Sequence, residues 1–98
     1  MSREIREGLQ PQGPNESIIY RITVTPAAVS AGAVTVTDQN TGADVTASTC
    51  TGSATVSDGA LVLPALHDLT ENHFYEVEAA YTDAAGNVIT PLFRILCS

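Results

Sequence analysis

The sequence predicts a small antiparallel all-β domain, and three observations support this fold class. Apolar residues recur at every second position in residues 17–25, and the same period returns in the segments VTVT, LVL and YEVEAAY. Thr and Val, whose β-branched side chains pack well on a pleated sheet, dominate the middle of the chain. Turn-forming residues separate the apolar runs at spacings typical of a sandwich.

The strands follow one another after residue 16, and each is bounded by a recognisable signal. The predicted strands are 17–25, 33–38, 43–48, 54–57, 60–63, 74–82 and 88–96. Pro26 ends the first, the turn DQNTG joins the second to the third, and Asp58–Gly59 joins the fourth to the fifth, which Pro64 stops. The turn DAAGN joins the last two. Pro91 lacks an amide hydrogen, so the last strand is predicted to lie at an edge, to bulge or to break near Thr90.

The same alternation predicts the core and fixes the register. A slip of one residue would bury Arg21 and Glu76, whose unpaired charges are costly inside a protein. The predicted core consists of Ile18, Tyr20, Ile22, Val24, Val34, Val36, Leu61, Leu63, Leu66, Leu69, Tyr75, Val77, Ala79, Tyr81, Ile89, Leu92 and Ile95.

Length and composition indicate one domain. A chain of 98 residues without Trp builds a single core from Val, Ile, Leu and Ala. Eleven acids oppose four Arg, which gives a net charge of −7. Because the charges within residues 1–7 cancel, the whole net negative charge lies on the residues that follow. Such a surface repels phosphates and anionic lipid heads, so we expect neither nucleic acid nor a membrane as a partner.

Residues 1–16 differ from the rest and are predicted to form an extended N-terminal arm before a domain at 17–98. Pro11 and Pro14 favour extended backbone and remove two amide donors, so we expect no regular element of the fold there. The segment has no apolar core of a signal peptide, and no later run has the length to cross a bilayer. We therefore expect synthesis and first use in the cytoplasm.

Two cysteines do not make a disulfide framework. A bridge between Cys50 and Cys97 stays open at this stage, but we expect two free thiols in a reducing cytosol.

Two groups of polar residues resemble metal sites without matching one. The first is the loop cluster His67, Asp68, Glu71 and His73. Its spacing does not suit zinc ligands on a helix or a strand, so these are interpreted as polar loop residues. The second is the turn with Asp38, Asn40 and Asp44. It lacks the closing bidentate acid of a calcium loop, and Asx-turn chemistry explains it.

No constellation predicts catalysis. The chain has no nucleophile elbow, no glycine-rich phosphate loop and no basic patch with interleaved aromatics, so we expect a protein that is not an enzyme and takes no cofactor or metal. Two further classes stay open, an adhesive carbohydrate-binding module and an acidic mimic of nucleic acid. Against the first, Tyr20, Tyr75 and Tyr81 are assigned to the core. Against the second, the negative charge is modest and unclustered.

Two sets of segments carry a family resemblance. The stretch LHDLTENHFYEVEAAYTDAAGNVIT resembles the end of an immunoglobulin-like or fibronectin-like module, with Tyr75 opening its strand in the manner of a tyrosine corner. The run REIREGLQPQGPNESIIYRITVTP, with DVTAS and LVLPALHDLTENHFYEVEAAYTD, is similar to small single-domain proteins encoded among the head and neck genes of tailed bacteriophages.

The resemblance implies an immunoglobulin-like antiparallel β-sandwich of about seven strands with an extended N-terminal arm. It implies a virion structural protein, in the first place a capsid decoration or cement protein that docks on the shell through its arm and an edge strand. The alternative is a neck or tail accessory subunit or a fibre-associated binding module. The implied partners are the major capsid protein or neck and tail subunits, with a homo-oligomer on the virion as a further possibility.

Five residues of the arm are expected to bind the partner. They are Arg3, Ile5, Arg6, Leu9 and Pro11. Ile5 and Leu9, four residues apart, would anchor apolar side chains, and Arg3 and Arg6 would pair with acids on the shell.

Overall fold

The computed structural model describes residues 2–5 and 9–98, and within them the chain forms ten strands and one short helix. The all-β prediction is confirmed. The elements are β1 (Ser2–Ile5), β2 (Leu9–Gln12), β3 (Ile19–Ile22), β4 (Ala28–Asp38), β5 (Ala43–Asp44), α1 (Thr46–Thr49), β6 (Thr55–Ser57), β7 (Ala60–Val62), β8 (Phe74–Asp83), β9 (Val88–Ile89) and β10 (Leu92–Cys97).

The strands form two sheets. The smaller sheet has the order β1-β3-β7-β6, and the larger has the order β2-β10-β8-β4-β5, with β9 pairing β8. β1 runs parallel to β3 and β2 runs parallel to β10, whereas the other pairs are antiparallel. The core lies between the sheets and follows the period-two rhythm, as in β8, where Tyr75, Val77, Ala79 and Tyr81 are buried.

The predicted core is largely confirmed, with one error on β10. Leu92 is 49% exposed, while Phe93 and Ile95 are buried. Alternation counted back from Ile95 puts Phe93 inside and Leu92 outside, and Pro91 hides this rhythm in the sequence. Val24, Val34 and Ile89 are half-buried against the core. The prediction omitted Ala28, Cys50, Ala60, Phe93 and Cys97, which are buried.

Two stretches of the predicted arm are strands of the fold, which corrects the prediction of an arm without regular elements. Ser2–Ile5 and Leu9–Gln12 are strands β1 and β2. Pro11 is accommodated because β2 is an edge strand. The Ser98 N–H donates to the Gln12 carbonyl at 3.1 Å, so the Gln12 backbone faces β10, and the alternate position of Pro11 does not have to donate a hydrogen bond to β10.

Three predicted strands have clearly different bounds in the structure. The predicted strand 17–25 is a strand over Ile19–Ile22 alone. The predicted strand 43–48 is a strand over Ala43–Asp44 alone and then becomes α1. The Asp44 carboxylate accepts hydrogen bonds from the N–H and hydroxyl of Thr46, which turns the chain. β4 starts at Ala28 instead of residue 33, because Gly32 lets it pass through a register shift: a Cβ there would lie 3.0 Å from that of Ala80.

The break predicted near Thr90 is confirmed. The chain divides into β9, which ends at Ile89, and β10, which starts at Leu92. Pro91 donates no hydrogen bond, but its carbonyl accepts the Ala79 N–H at 3.0 Å, so the chain stays beside β8 through the break. With this division and the two N-terminal strands, the described residues hold ten strands where the sequence predicts about seven.

Candidate functional site

The expected partner-binding residues are divided between the two sheets. Arg3 and Ile5 lie in β1, at the edge of the smaller sheet, and Leu9 and Pro11 lie in β2, at the edge of the larger sheet. Arg6 lies outside the described residues. The N-terminal segment therefore belongs to one edge strand in each sheet, and it does not present the predicted residues along a single strand.

The strand register distinguishes the two parts of this segment. Arg3 is the register partner of Tyr20 and Ile5 that of Ile22, both buried core positions. The prediction that Arg3 and Ile5 bind a partner stays a prediction.

The positions in β2 have different neighbours. Leu9 is the register partner of Arg94 and Pro11 that of Leu96, two positions that alternate with the buried Phe93, Ile95 and Cys97. Pro11 itself is exposed. Leu9 and Pro11 therefore stand beside the outward-facing side of the larger sheet.

A buried amide fixes β2 to the body. Gln12 is 1% exposed, and its Nε2 donates to the carbonyls of Leu66 at 2.8 Å and Glu16 at 3.1 Å. Its Oε1 accepts the Tyr20 hydroxyl at 2.7 Å. The amide thus satisfies both of its donors and its acceptor inside the core. Sequence reasoning missed Gln12, and no local signal reveals it, because a Gln in a Pro- and Gly-rich segment ordinarily faces water.

The outer face of the larger sheet carries apolar side chains next to β2. We define this outer face by Phe74, Glu76, Glu78, Leu92 and Arg94. Phe74 is 40% and Leu92 is 49% exposed, and they lie among charges. Arg94 Nε stands 3.9 Å from Glu76 Oε2, an exposed pair that adds little stability. Apolar side chains rimmed by polar ones are typical of surfaces that bind other proteins.

Aromatic rings are otherwise withdrawn from the surface. Tyr20, Tyr75, Tyr81 and Phe93 are buried, so Phe74 is the one exposed residue among the Phe and Tyr side chains, all of which the structure describes. An adhesive module that stacks sugars on several aromatic rings therefore gains no support from this surface.

The turn after β4 is held by a partly buried ion pair. Asp38, 5% exposed, places Oδ2 at 2.8 Å from His73 Nδ1, while its Oδ1 accepts the Asn40 N–H at 2.9 Å. Asn40 Oδ1 in turn accepts the Phe74 N–H at 2.8 Å. Burial opposes ionisation of Asp38, but the hydrogen bonds from His73 and Asn40 outweigh it and hold the pKa of Asp38 below its ordinary value. The Asx-turn interpretation of Asp38 is confirmed.

The turn DAAGN is built in the same way. Asp83 Oδ1 accepts the N–H groups of Ala85 at 3.0 Å and Asn87 at 2.9 Å, and Oδ2 accepts the side-chain amide of Asn87 at 3.2 Å. The backbone hydrogen bond from Asn87, with these others, holds the pKa of Asp83 below its ordinary value against burial. The predicted hairpin turn is confirmed, and its acid has a structural task.

The two histidines stand in separate pairs. His67 Nδ1 lies 2.7 Å from Asp68 Oδ2, and His73 is paired with Asp38. Over residues 2–5 and 9–98, no three His, Cys, Asp or Glu side chains are grouped closely enough to share a metal ion.

Both thiols are free, as predicted, and both are buried. Burial raises the pKa of Cys50, and burial with the nearby carboxylates of Glu71 and Glu16 raises that of Cys97. Raised pKa values keep thiols protonated and unreactive, which gives both cysteines the role of small apolar core residues.

Comparison with protein-family models, with curated proteins and with solved structures finds no match for the chain. In the part of the chain that the structure describes, no helix has the length and hydropathy to span a membrane.

Proposed function

We propose that the chain is an immunoglobulin-like module that binds other proteins in the virion of a tailed bacteriophage, as a capsid decoration protein. The virion assignment follows from the resemblance of the sequence segments. The order of the strands supports the immunoglobulin-like part of the proposal. β3-β7-β6 corresponds to strands B, E and D of an immunoglobulin domain, and β10-β8-β4-β5 corresponds to G, F, C and C′. The parallel pairing of β1 with β3 departs from that pattern.

A second observation supports the immunoglobulin-like assignment. Tyr75 stands near the start of β8, the strand that corresponds to F, and its hydroxyl accepts the N–H of Thr70 at 2.7 Å. A tyrosine at this place that bonds back to the backbone a few residues upstream is the tyrosine corner of such modules. The family resemblance placed Tyr75 at such a corner, and its hydrogen bond links the long loop after β7 to β8.

The observation that carries the binding proposal is the apolar outer face beside β2. Edge strands normally recruit partners through unpaired backbone groups. At β2 this route is weakened, because the backbone of Pro11 faces away from β10 and proline has no N–H. We therefore assign docking to side chains of the outer face, with Phe74 and Leu92 as apolar contacts and the positions of Leu9 and Pro11 alongside them.

The partner is a protein with a positively charged contact surface. The net charge of −7 favours such a surface over an acidic one and speeds its encounter with the module. Many identical sites on a shell would also strengthen a weak single contact through avidity. Arg3 and Arg6 carry the opposite charge to the net charge of the rest of the chain, so their proposed pairing with acids of the shell is a second contact, separate from the positively charged surface.

The experiment compares two exposed apolar residues of the larger sheet. Leu92→Glu changes the outer face, whereas Val88→Glu changes a residue that is 72% exposed at the opposite end of β8. Purified virions of the phage that encodes the chain are separated into heads and tails, and copies of the chain are counted by mass spectrometry.

We expect the wild type and Val88→Glu on heads, and a loss of Leu92→Glu of at least about tenfold, the effect of removing one apolar anchor. Presence on tails alone would replace the decoration role with that of a tail accessory subunit. Absence from both fractions would contradict the virion assignment, and full occupancy by Leu92→Glu would contradict docking through the outer face.

A further inference from the structure

Part of β4 has a neighbouring strand on one side alone. β8 pairs with β4 over most of its length, but on the other side β5 pairs only with Thr37 and Asp38. At the far end, the Ala28 N–H donates to the Gly59 carbonyl at 2.9 Å. Between these anchors, no strand in the described part of the chain pairs with the second edge of residues 29–35.

Val34 presents its backbone groups at this open edge. The Val36 carbonyl accepts the Val45 N–H at 2.9 Å, and the Val36 N–H donates to Thr46 Oγ1 at 2.8 Å, so the Val36 backbone faces away from β8. The register between β4 and β8 is regular from Val34 to Asp38. Because strand backbones repeat every second residue, the N–H and carbonyl of Val34 face the same way as those of Val36.

A cavity adjoins this edge. It measures about 220 Å³. Residues 32–34 of β4 line one side, and Thr46, Cys50 and residues 52–54 line the other. We call this cavity and the open edge of β4 the β4 groove. Its lining contains no charged side chain, and since a cavity of about 150 Å³ accommodates benzene, it has room for one large apolar side chain.

We infer that the β4 groove binds an extended segment of a partner protein, which adds a strand to β4 and inserts one large apolar side chain into the cavity. The open edge, residues 29–35, spans about 20 Å, and its regular part starts at Val34, after two register shifts between Ala28 and Val34. The Val34 N–H and carbonyl provide main-chain hydrogen bonds, and the cavity selects the side chain. Basic residues flanking the apolar one complement the net charge of −7.

A second copy of this chain is a poorer occupant, because it brings the same excess of negative charge to the same edge. The β4 groove also lies two strands away from β10 and on a different edge from β2. The inference therefore goes beyond the docking proposed above and does not depend on a virion. If the chain is absent from virions and the groove still binds its segment, the proposed function fails and this inference holds.

The probe is a nine-residue peptide of alternating Thr and Val, with Phe at its centre and Lys at each end. Its control carries Ala in place of Phe. Each is titrated into the ¹⁵N-labelled full chain, and amide shifts are followed by NMR. We expect shifts at Val34 and residues 52–54, and binding at least about tenfold weaker for the Ala peptide, because the Ala side chain leaves the cavity unfilled.

Two matched variants test the backbone contact. Val34→Pro removes the N–H that faces the groove, and Val34→Ala removes the same apolar side chain but keeps the N–H. We expect Val34→Ala to bind the Phe peptide and Val34→Pro to lose it. If Val34→Pro does not fold, Ser53→Phe takes its place by filling the cavity, and it should abolish the preference for the Phe peptide over the Ala peptide.

Three results would overturn the inference. Equal binding of the two peptides to the wild type would show that the cavity does not select the side chain. Equal binding by Val34→Pro and Val34→Ala would remove the added strand. A free chain that dimerises, with Val34→Pro monomeric in sedimentation, would make a second copy the occupant.

Discussion

The two edges of the larger sheet differ in how they limit pairing with a further strand. At β2, the backbone of Pro11 withholds a donor from the edge and the buried Gln12 fastens the strand to the core. At β4, the cover is the two-residue β5, and the rest of that edge is open beside a cavity. An edge strand with a proline in place of a donor resists strand addition, whereas an open edge with a pocket favours it. We therefore propose that an added strand binds at β4 and that side-chain contacts are made at the outer face near β2.

Gln12→Ala should destabilise the fold at β2, and this is the largest loss of stability that we expect. It removes two donors and the acceptor of the Tyr20 hydroxyl from a closed site and leaves a cavity. We expect the free energy of unfolding to fall by about 2–4 kcal/mol in urea denaturation. Gln39→Ala is the control, because Gln39 is exposed, its side chain donates to Glu76 Oε2, and the substitution keeps its backbone hydrogen bond to Phe74; it should cost less than about 0.5 kcal/mol. Equal losses would show that Gln12 is not buried in solution.

Gly32→Ala should disturb the β4 side by a smaller amount. The added Cβ would approach the Cβ of Ala80 at 3.0 Å and its carbonyl oxygen at 3.2 Å, so β4 and β8 must separate slightly. We expect a loss of about 1–2 kcal/mol, measured in the same way. The neighbouring Ala33→Ser, at an exposed position, should stay within about 0.5 kcal/mol of the wild type. A neutral Gly32→Ala would contradict the close approach of the two strands.

The pH dependence of stability tests the role of Asp38 at the end of β4. The pKa of Asp38 is lowered from 3.8 in the folded chain, so its ionised form stabilises the fold above that pH. This contribution is lost as the pH falls below 3.8 through the folded value, because the unfolded chain then binds the proton more tightly. The stability difference between the wild type and Asp38→Asn should shrink as the pH falls below about 4. If the stability difference grew as the pH fell below about 4, the fold would not stabilise the ionised form of Asp38.

What the sequence predicts well is set by local pattern. The alternation in YEVEAAY predicts β8 and its buried face, and the missing amide of Pro91 predicts the division of the last strand. Asx-turn chemistry explains Asp38 and Asp83 because each carboxylate bonds to a backbone N–H within four residues of itself.

What the sequence does not show depends on distant partners. Gln12 bonds to the Leu66 carbonyl across 54 residues, and nothing local marks it as buried. The β4 groove exists because α1 and residues 52–54 pack opposite β4, which no periodicity specifies. The resemblance implies an arm, and only the pairing of β2 with β10 turns that arm into part of the larger sheet.

The proposed docking face requires that β2 pairs with β10, and hydrogen exchange of the Ser98 amide tests this pairing directly. The Ser98 N–H donates to the Gln12 carbonyl, so it is held by β2 although it belongs to the chain terminus. Measured by NMR beside the Ala79 N–H, which donates to Pro91 within the sheet, the Ser98 amide should exchange far more slowly than a free terminus. If the Ser98 amide exchanged at the rate of an unstructured peptide while the Ala79 amide stayed protected, β2 would not be paired with β10, which would contradict the proposed docking face.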